Sequence, residues 1–194
     1  MKKLYIDTST DVMYIILADK NETIDIAKYL GKRDHATFLV DRIDQMLSKH
    51  HLKLDDLSEI IVGEGPGSYT GIRVSATVSK TLSYAKKIPL FAVSSLIFLT
   101  SGYKGKISAF HDARRGHVFA CIYEHDQVLM KSQYILLEDA IKHTLYKNSL
   151  PIYIHEDQGK INIEIIDAHK YKVKDIHMFE PNYARITEAE INAS

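Results

Sequence analysis

Four glycines and one proline fall within the eleven residues Gly63–Arg73, GEGPGSYTGIR, directly after the apolar run LSEIIV. Glycine-rich loops bind phosphate where successive backbone N–H groups converge on an anion, helped by the positive end of a following helix. Here Pro66 lacks an N–H, and Ile72-Arg73 follows Gly71 where a P-loop has lysine and a hydroxyl residue. These residue types do not favour a nucleotide-binding loop.

The same segment has the composition of a tight corner between a strand and a helix. Gly65 and Gly67 permit a positive φ, and Pro66 stiffens the backbone between them. Ser68 or Thr70 suits the N-cap position of a following helix. We favour this structural interpretation because glycine and proline commonly serve turns.

Histidine and cysteine do not form a recognisable metal-binding pattern. HEDQG at His155 begins like the zinc-helix motif HExxH, but Gly159 stands where the second histidine belongs. No two histidines are four residues apart, and Cys121 is the only cysteine, which excludes a thiolate cluster and an internal disulfide. We predict no metal site in this chain.

The composition limits the possible classes of function. Hydrophobic residues make up 45% and charged residues 26%, as in an ordinary soluble globular protein. Lysine plus arginine equals aspartate plus glutamate at 25 each, so no net charge draws the chain to nucleic acid or a membrane. MKKLYIDTST lacks the apolar stretch of a signal peptide, and no segment has the roughly 20 apolar residues of a membrane helix. With a single cysteine, these features predict a cytoplasmic protein.

The first hundred residues are predicted to form an α/β lobe (residues 1–100). KLYID, VMYIILA and ETIDIAKYL indicate an antiparallel meander, and LSEIIV and IPLFAV indicate two buried strands. Between His35 and His51, apolar residues recur every three or four positions, which predicts an amphipathic helix capped by Asp34. SSLIFLTSG is expected to be a short helix that closes this lobe.

A smaller second lobe is predicted over residues 101–194. KISAFHD and HVFACIYE flank the turn ARRG and indicate a hairpin. LEDAIKHTLYK is amphipathic, and PIYIHE and NIEIID are strand-like. Strands followed by alternating helices and strands are typical of mixed sheets covered by helices.

The segment between Val74 and Tyr84 is ambiguous. Its apolar residues alternate with serine and threonine, as in a strand. A parallel strand at IPLFAV after LSEIIV nevertheless needs a crossover of about a dozen residues, which is usually helical. We predict a helix with small side chains nearly all round, which another helix can approach closely.

Several motifs occur in the order found in one protein family. They are IDTST, GEGPGSYTGIR, FAVSSL, DARRGHVF and EPNYAR, and together they span nearly the whole chain. The chain resembles the TsaB family, also called YeaZ, and the GPGS-aromatic-TG-x-R string with DARRG downstream is far more specific than a single glycine motif. The resemblance implies the ribonuclease-H-like fold shared by actin, sugar kinases and Hsp70, with two lobes, mixed sheets and a degenerate second lobe.

The same resemblance implies a function in tRNA modification. It predicts a non-catalytic assembly subunit for N6-threonylcarbamoyladenosine formation at position 37 of tRNAs that read A-starting codons. Such proteins pair with the catalytic paralogue TsaD, and the small ATPase TsaE joins the pair. We expect a heterodimer with TsaD, a homodimer in isolation, and tRNA contact through the complex. No cofactor is expected on this chain alone, whereas ATP and metal are expected on the partner subunits.

The phosphate-binding residues that such a fold implies are incomplete. Kinases of this class cradle phosphate in the first hairpin with an acid followed by a glycine, whereas IDTST keeps Asp7 and the hydroxyls of Thr8 and Ser9 without the glycine. The second lobe also lacks glycine-rich turns, since Gly159 is the only glycine after Gly116. ATP binding by this chain alone is therefore not expected.

The helices predicted at residues 35–51 and 70–86 are expected to form the docking face for the paralogue, in a pseudo-symmetric four-helix contact. TsaD-like enzymes hold their metal through an HxxxH pair, whereas HATFL has Leu39 at the second position, so we interpret His35 as a helix-start or interface residue. The candidate interface residues are His35, Phe38, Leu39, Arg42, Met46, Arg73, Val74, Thr77, Val78 and Thr81.

Two interpretations remain open for the DARRG motif. Asp112, Arg114 and Arg115 would form a charged tip that contacts a partner or RNA phosphate, for which arginine is suited. Alternatively, they form a polar hairpin turn without a ligand.

The alternative function is an ATP-dependent phosphotransferase of the same fold. Asp7 would then be the acid on the magnesium side, and the Gly65–Gly71 loop would lie near the substrate. A metalloprotease is the least favoured function, because the metal-binding pattern is missing.

Overall fold

A computed structural model describes residues 1–31, 34–143, 146–155 and 158–184. Its strands are β1 (Lys2–Asp7), β2 (Val12–Asp19), β3 (Glu22–Leu30), β4 (Leu57–Gly63), β5 (Leu90–Val93), β6 (Lys106–Asp112), β7 (His117–Glu124), β8 (Gln127–Leu136), β9 (Leu150–Tyr153) and β10 (Tyr171–Lys172). Its α-helices are α1 (His35–Lys49), α2 (Tyr69–Lys86), α3 (Ser95–Thr100), α4 (Leu137–Lys142) and α5 (Ile163–His169).

The strands form two mixed sheets. The first has the order β10-β5-β4-β1-β2-β3, and the second has the order β8-β7-β6-β9. In the first sheet β1 pairs antiparallel with β2 and parallel with β4, and in the second β6 pairs antiparallel with β7 and parallel with β9. The predicted α/β class with two mixed sheets is confirmed, and the second sheet is the smaller.

Strands β1 and β2 and most of β4, at the centre of the first sheet, are buried on both faces. Leu4 and Ile6 of β1 pack in the core beneath α1 and α2, whereas Tyr5 lies in the core between the two sheets. In β4, Ile60 packs in the core beneath α1 and α2, and Ile61 packs in the core between the two sheets. Because both faces are covered, these strands are continuous apolar runs in the sequence and do not alternate with polar residues.

The ambiguous segment after the glycines is helical, as predicted. Ser68 is the N-cap of α2, and its hydroxyl accepts a hydrogen bond from the Gly71 N–H at 3.4 Å. Thr77 and Thr81 are exposed, whereas Ser75, Ser79 and Ser83 recur every four residues and are fully buried on the face of α2 toward the sheet. Their small side chains let this face approach β4, and the Ser75 Oγ lies 3.5 Å from the Gly63 carbonyl oxygen.

Three local expectations are corrected. Asp34 precedes α1 but makes no capping hydrogen bond with its side chain. NIEIID lies in helix α5 and is not a strand, because the Asn162 side chain caps the N-terminus and Ile163 and Ile166 are buried on one side of this short helix. Strand β8 has no counterpart among the predicted elements, and helix α4 covers Leu137–Lys142 of the amphipathic segment, in which residues 144 and 145 lie outside the described residues.

The end of the described chain returns to the first sheet. Tyr171 and Lys172 of β10 pair with β5, and Val173 and Phe179 are buried in the core beneath α1 and α2. A division of the chain at residue 100 therefore does not hold for residues 171–184, which pack on the first lobe.

The buried serines of α2 allow a direct comparison of hydrogen bonding. The Ser79 hydroxyl has no hydrogen-bond partner among the described residues, whereas the Ser83 hydroxyl donates to the Ile88 carbonyl oxygen. We expect Ser79→Ala to raise the free energy of unfolding by up to about 1 kcal/mol, because it removes an unsatisfied polar group and improves helix propensity. Ser83→Ala is expected to lower it by about 1 kcal/mol. Urea denaturation measures the free energy of unfolding of both variants. A greater loss of stability for Ser79→Ala than for Ser83→Ala would contradict the expected difference in hydrogen bonding.

Candidate functional site

The glycine corner, residues 63–71, packs against the turn between β1 and β2. The Ser68 N–H donates to the Ser9 carbonyl oxygen at 2.7 Å, and the Thr8 hydroxyl donates to the Gly71 carbonyl oxygen at 2.7 Å. A Cβ on Gly67 would lie 2.4 Å from the Ser9 carbonyl oxygen, and one on Gly71 would lie 1.9 Å from that of Thr8. The glycines are therefore required because two backbone segments touch.

Only one of the two glycines expected to have a positive φ has it. Gly65 has φ +107°, and its N–H donates to the Ser95 hydroxyl at 2.9 Å. Gly67 does not have a positive φ. Glycine is required at this position because the backbone lies against Ser9. Ser68 provides the N-cap, so Thr70 does not; it lies in the first turn of α2.

Asp7 lies at the base of this corner and is fully buried. Its Oδ1 accepts hydrogen bonds from the Ser9 N–H at 2.9 Å and the Ser9 hydroxyl at 2.7 Å, while its Oδ2 has no partner among the described residues. Burial raises the pKa of Asp7, although the Ser95 hydroxyl, the Ser9 groups and His35 act to lower it. The polar groups of the first turn are thus largely engaged with the protein itself.

Helices α1 and α2 lie side by side over the first sheet, and their outer surfaces meet in a groove of about 390 Å³. We call it the α1–α2 groove, and it is lined by Ala36, Tyr69, Thr70, Arg73, Val74, Thr77 and Val78. Of the predicted interface residues, Arg73, Val74, Thr77 and Val78 line this groove, and Thr81 is exposed one turn further along α2.

Three of the predicted interface residues on α1 face inward. Leu39 is 0% and Met46 4% exposed, because the apolar stripe of α1 packs on its own sheet. His35 is 7% exposed, and its Nε2 lies 3.1 Å from the Thr10 carbonyl oxygen. These three side chains are not available to a partner in this conformation.

Phe38 and Arg42 are half-buried and contact Tyr29 of strand β3. The Phe38 ring meets the Tyr29 ring edge-on, with centroids 5.7 Å apart, and the Arg42 guanidinium lies 5.1 Å from the centroid of the same ring. Neither side chain lines the α1–α2 groove, so the helix register places them on the β3 side of α1.

The two tyrosines that contact Arg73 were not identified from the sequence. The Arg73 guanidinium lies 3.9 Å from the centroid of the Tyr69 ring, and its Nε–H donates to the Tyr183 hydroxyl at 2.9 Å. Tyr69 is the aromatic residue of the glycine motif, and Tyr183 belongs to EPNYAR, whose last residue lies outside the described residues. Both motifs carry the family resemblance, but their spacing along the chain gives no sign that they meet.

The DARRG motif forms an exposed turn between β6 and β7. Arg114 and Arg115 have positive φ values of 66° and 53°, and Gly116 follows at 73°. The Asp112 side chain accepts a hydrogen bond from the Arg114 N–H at 3.0 Å, which stabilises the turn. Both arginines point to solvent, so the two interpretations of this motif stay open.

Among the residues that the structure describes, no group of three or more His, Cys, Asp or Glu side chains is arranged to hold a metal ion. In the same residues, no helix is long and apolar enough to cross a membrane.

Two mixed sheets with helices against their faces define an α/β protein. The fold is similar to a crystal structure from Pseudomonas aeruginosa described as an uncharacterized protein with similarity to peptidase YEAZ, with TM-score 0.77 and 20% identity over 95% of this chain and 99% of that one. A second structure, "YeaZ from Pseudomonas aeruginosa", has TM-score 0.68 and 20% identity over 86% and 89%.

Sequence similarity assigns the family. The family model described as TsaD, tRNA N6-adenosine threonylcarbamoyltransferase, matches residues 26–178. The chain is 30% identical to the tRNA threonylcarbamoyladenosine biosynthesis protein TsaB of Bacillus subtilis over 98% of its own length and 96% of that protein. It is 28% identical to the protein of the same name from Escherichia coli over 66% of this chain and 57% of that one. The chain belongs to the TsaB family.

The contact between the glycine corner and the first turn predicts a steric effect at Gly71. Gly71→Ala places a Cβ against the Thr8 carbonyl oxygen, and we expect it to lower the free energy of unfolding by about 3 kcal/mol or more. Gly105→Ala is the matched control, because a Cβ there meets nothing within 4 Å and only its positive φ is strained. Urea denaturation compares the two, and equal losses would mean that the close approach is not what requires Gly71.

The buried carboxyl of Asp7 predicts a dependence of stability on pH. Its pKa is raised in the folded protein, so the folded state holds the proton more tightly than the unfolded chain. The resulting stability is complete below about pH 4, the ordinary value of an aspartate, and is lost as pH rises through the raised pKa. Asp7→Asn keeps the Oδ1 acceptor but cannot ionise, so its stability relative to the unmodified protein should increase with pH above about 4. Urea denaturation measures the free energy of unfolding of both proteins at each pH. A difference between them that stays constant from pH 4 to pH 8 would contradict a raised pKa for Asp7.

Proposed function

We propose that this chain is a non-catalytic assembly subunit for N6-threonylcarbamoyladenosine formation at position 37 of tRNAs that read A-starting codons. It acts by forming a heterodimer with a catalytic paralogue of the TsaD type. Family membership supports a role in N6-threonylcarbamoyladenosine formation. The main observation that supports heterodimer formation is the α1–α2 groove.

The groove has the character of a protein-binding surface. Tyr69 is 59% exposed at one end of it, and Val40 on the adjoining part of α1 is 53% exposed. Of the other residues that line the groove, Val74 and Val78 are half-buried, and Thr77 is exposed. An apolar strip with small side chains lets a second pair of helices approach to the 8–10 Å typical of packed helices.

A paralogue is the partner that suits this groove. The family model that matches residues 26–178 is that of TsaD, so a TsaD-type protein is expected to carry helices equivalent to α1 and α2. Two related helix pairs pack around a pseudo-twofold axis, as identical pairs do in a homodimer. The same groove therefore accounts for a homodimer of this chain when the catalytic partner is absent.

The hydrogen bonds between the glycine corner and the β1–β2 turn support a non-catalytic role for this chain. The Ser9 N–H and hydroxyl are bound by Asp7, and the Thr8 hydroxyl is bound by the Gly71 carbonyl oxygen, so these groups are not directed at a ligand. In this proposal ATP and metal belong to the partner subunits, the ATPase TsaE joins the heterodimer, and tRNA is bound by the complex. The phosphotransferase alternative would require the first turn to release these hydrogen bonds.

Reconstitution of the tRNA modification with purified subunits tests the proposal. Omission of this chain is expected to abolish modification, and Thr77→Arg is expected to weaken binding to the TsaD-type partner about tenfold or more, because it places a long charged side chain in the groove. Modification should fall in parallel at limiting subunit concentration. Calorimetry measures the affinity, and circular dichroism verifies that the variant is folded.

Thr23→Arg is the matched control for this experiment. Thr23 is an exposed threonine on β3 and does not line the groove, so the same substitution there should leave affinity and modification unchanged. Undiminished modification without this chain would reject the subunit role. Wild-type affinity of Thr77→Arg would reject the groove as the docking surface.

A further inference from the structure

Arg73 is held in place on the outer surface of α2. Its guanidinium lies over the Tyr69 ring, 3.9 Å from the centroid, and also lies 5.5 Å from the centroid of the Tyr183 ring. The Tyr183 hydroxyl accepts a hydrogen bond from its Nε–H, and the two tyrosine rings are themselves 5.4 Å apart. An exposed arginine usually samples many rotamers, whereas these contacts restrict this side chain to one.

The segment of residues 175–184, which we call the C-terminal segment, keeps Tyr183 in this position. The Lys80 ammonium of α2 donates to the carbonyl oxygens of His177 and Phe179, at 3.0 and 2.8 Å. Phe179 is buried in the core beneath α2, and the Asn182 N–H donates to the Glu64 carbonyl oxygen at 2.8 Å. The segment is therefore attached to α2 and to the glycine corner on either side of Arg73.

Arg73 retains unused binding capacity. Its Nε–H is bound to Tyr183, but none of the ion pairs among the described residues involves its guanidinium. It lines two adjoining cavities, the α1–α2 groove on one side and a cavity of about 310 Å³ between α2 and the C-terminal segment on the other. Glu180 lines the second cavity and makes no ion pair with Arg73 in the described part of the chain.

We propose that the docking surface consists of the α1–α2 groove together with the C-terminal segment, and that Arg73 binds a carboxylate of the TsaD-type partner at their junction. Tyr69 and Tyr183 are positioning residues that hold the guanidinium for this contact. The inference rests on the proposed heterodimer and identifies the chemistry of its anchoring contact.

A carboxylate is the group that this arrangement suits. The planar guanidinium forms paired hydrogen bonds with a carboxylate, and its remaining donors are on the Nη atoms. Arginine is enriched among the residues that dominate protein–protein affinity. A guanidinium that aromatic rings already hold in place loses less side-chain entropy on binding. The partner helices that enter the groove pass beside Arg73, so an acidic side chain on them can reach it.

The experiment measures the affinity of the complete chain for the purified TsaD-type partner by calorimetry. Arg73→Met is expected to weaken binding about tenfold or more, and Arg73→Lys is expected to lie between Arg73→Met and the unmodified protein, because it keeps the charge but loses the paired geometry. Tyr183→Phe retains the ring and removes the hydroxyl, so we expect a loss of roughly threefold. Raising the salt concentration should weaken the unmodified pair more than the Arg73→Met pair.

Lys131→Met is the matched control, because it removes one exposed positive charge from β8 on the second sheet. It should leave the affinity unchanged. If Thr77→Arg weakens the complex but Arg73→Met retains wild-type affinity and salt dependence, the groove is the docking surface and the role of Arg73 is wrong. If neither substitution weakens binding, the proposed heterodimer surface is wrong as well.

A further measurement tests whether Arg73 contributes to a homodimer of this chain. Sedimentation velocity of the isolated chain measures whether Arg73→Met alters a homodimer. An effect on the homodimer with unchanged affinity for the TsaD-type partner would overturn the proposal, because the carboxylate would then belong to a second copy of this chain.

Discussion

The contact of the glycine corner with the β1–β2 turn determines where α2 begins. Gly67 and Gly71 allow the backbone of the corner to touch the carbonyl groups of Ser9 and Thr8, at distances that no Cβ would tolerate. Ser68 is joined to the same turn and caps the helix that follows. The first residues of α2 are therefore attached to the sheet, and the direction of the helix and of the surface that it presents follows from this attachment.

A second set of interactions joins the two lobes. Tyr5 of the first sheet lies in the same core as β6, β7 and the helices α3 and α5. At the edge of this core the Lys3 ammonium bonds the Asp167 carboxylate at 2.6 Å, and Lys170 bridges Asp167 and Glu59. These groups are mostly removed from water, where removal of one charge would leave its partner buried and uncompensated. A shared apolar core with a satisfied ionic edge favours one fixed arrangement of the lobes, which suits a subunit that presents a preformed surface.

The sequence supported the architecture more fully than the details of the surface. Short runs of β-branched and aromatic residues predict β1, β2 and β4, apolar residues at three- and four-residue intervals predict α1, and the need for a crossover between parallel strands favours a helix at α2. Short elements such as α5 depend on one cap, Asn162, and two buried isoleucines, and an apolar pattern of this length does not distinguish a helix from a strand. Leu39 and Met46 were assigned to the docking face although they belong to the apolar stripe of α1, because a single stripe serves the protein's own core before it can serve a partner. The pairing of Arg73 with Tyr183 joins residues 110 positions apart, and only the tertiary fold brings them together.

The geometry that binds phosphate in related folds is also suited to placing a helix. In a phosphate loop, backbone N–H groups and a helix N-terminus converge on an anion. In this chain the Ser9 N–H is bound by the Asp7 carboxylate, the Ser68 N–H by the Ser9 carbonyl oxygen, and the Gly65 N–H by the Ser95 hydroxyl. Protein oxygens thus occupy the positions of hydrogen-bond acceptors that a ligand would otherwise provide. Because these three N–H groups are bound by protein oxygens, the protein itself holds the corner in place. In the proposed heterodimer, α2 would therefore present its outer surface without a bound nucleotide.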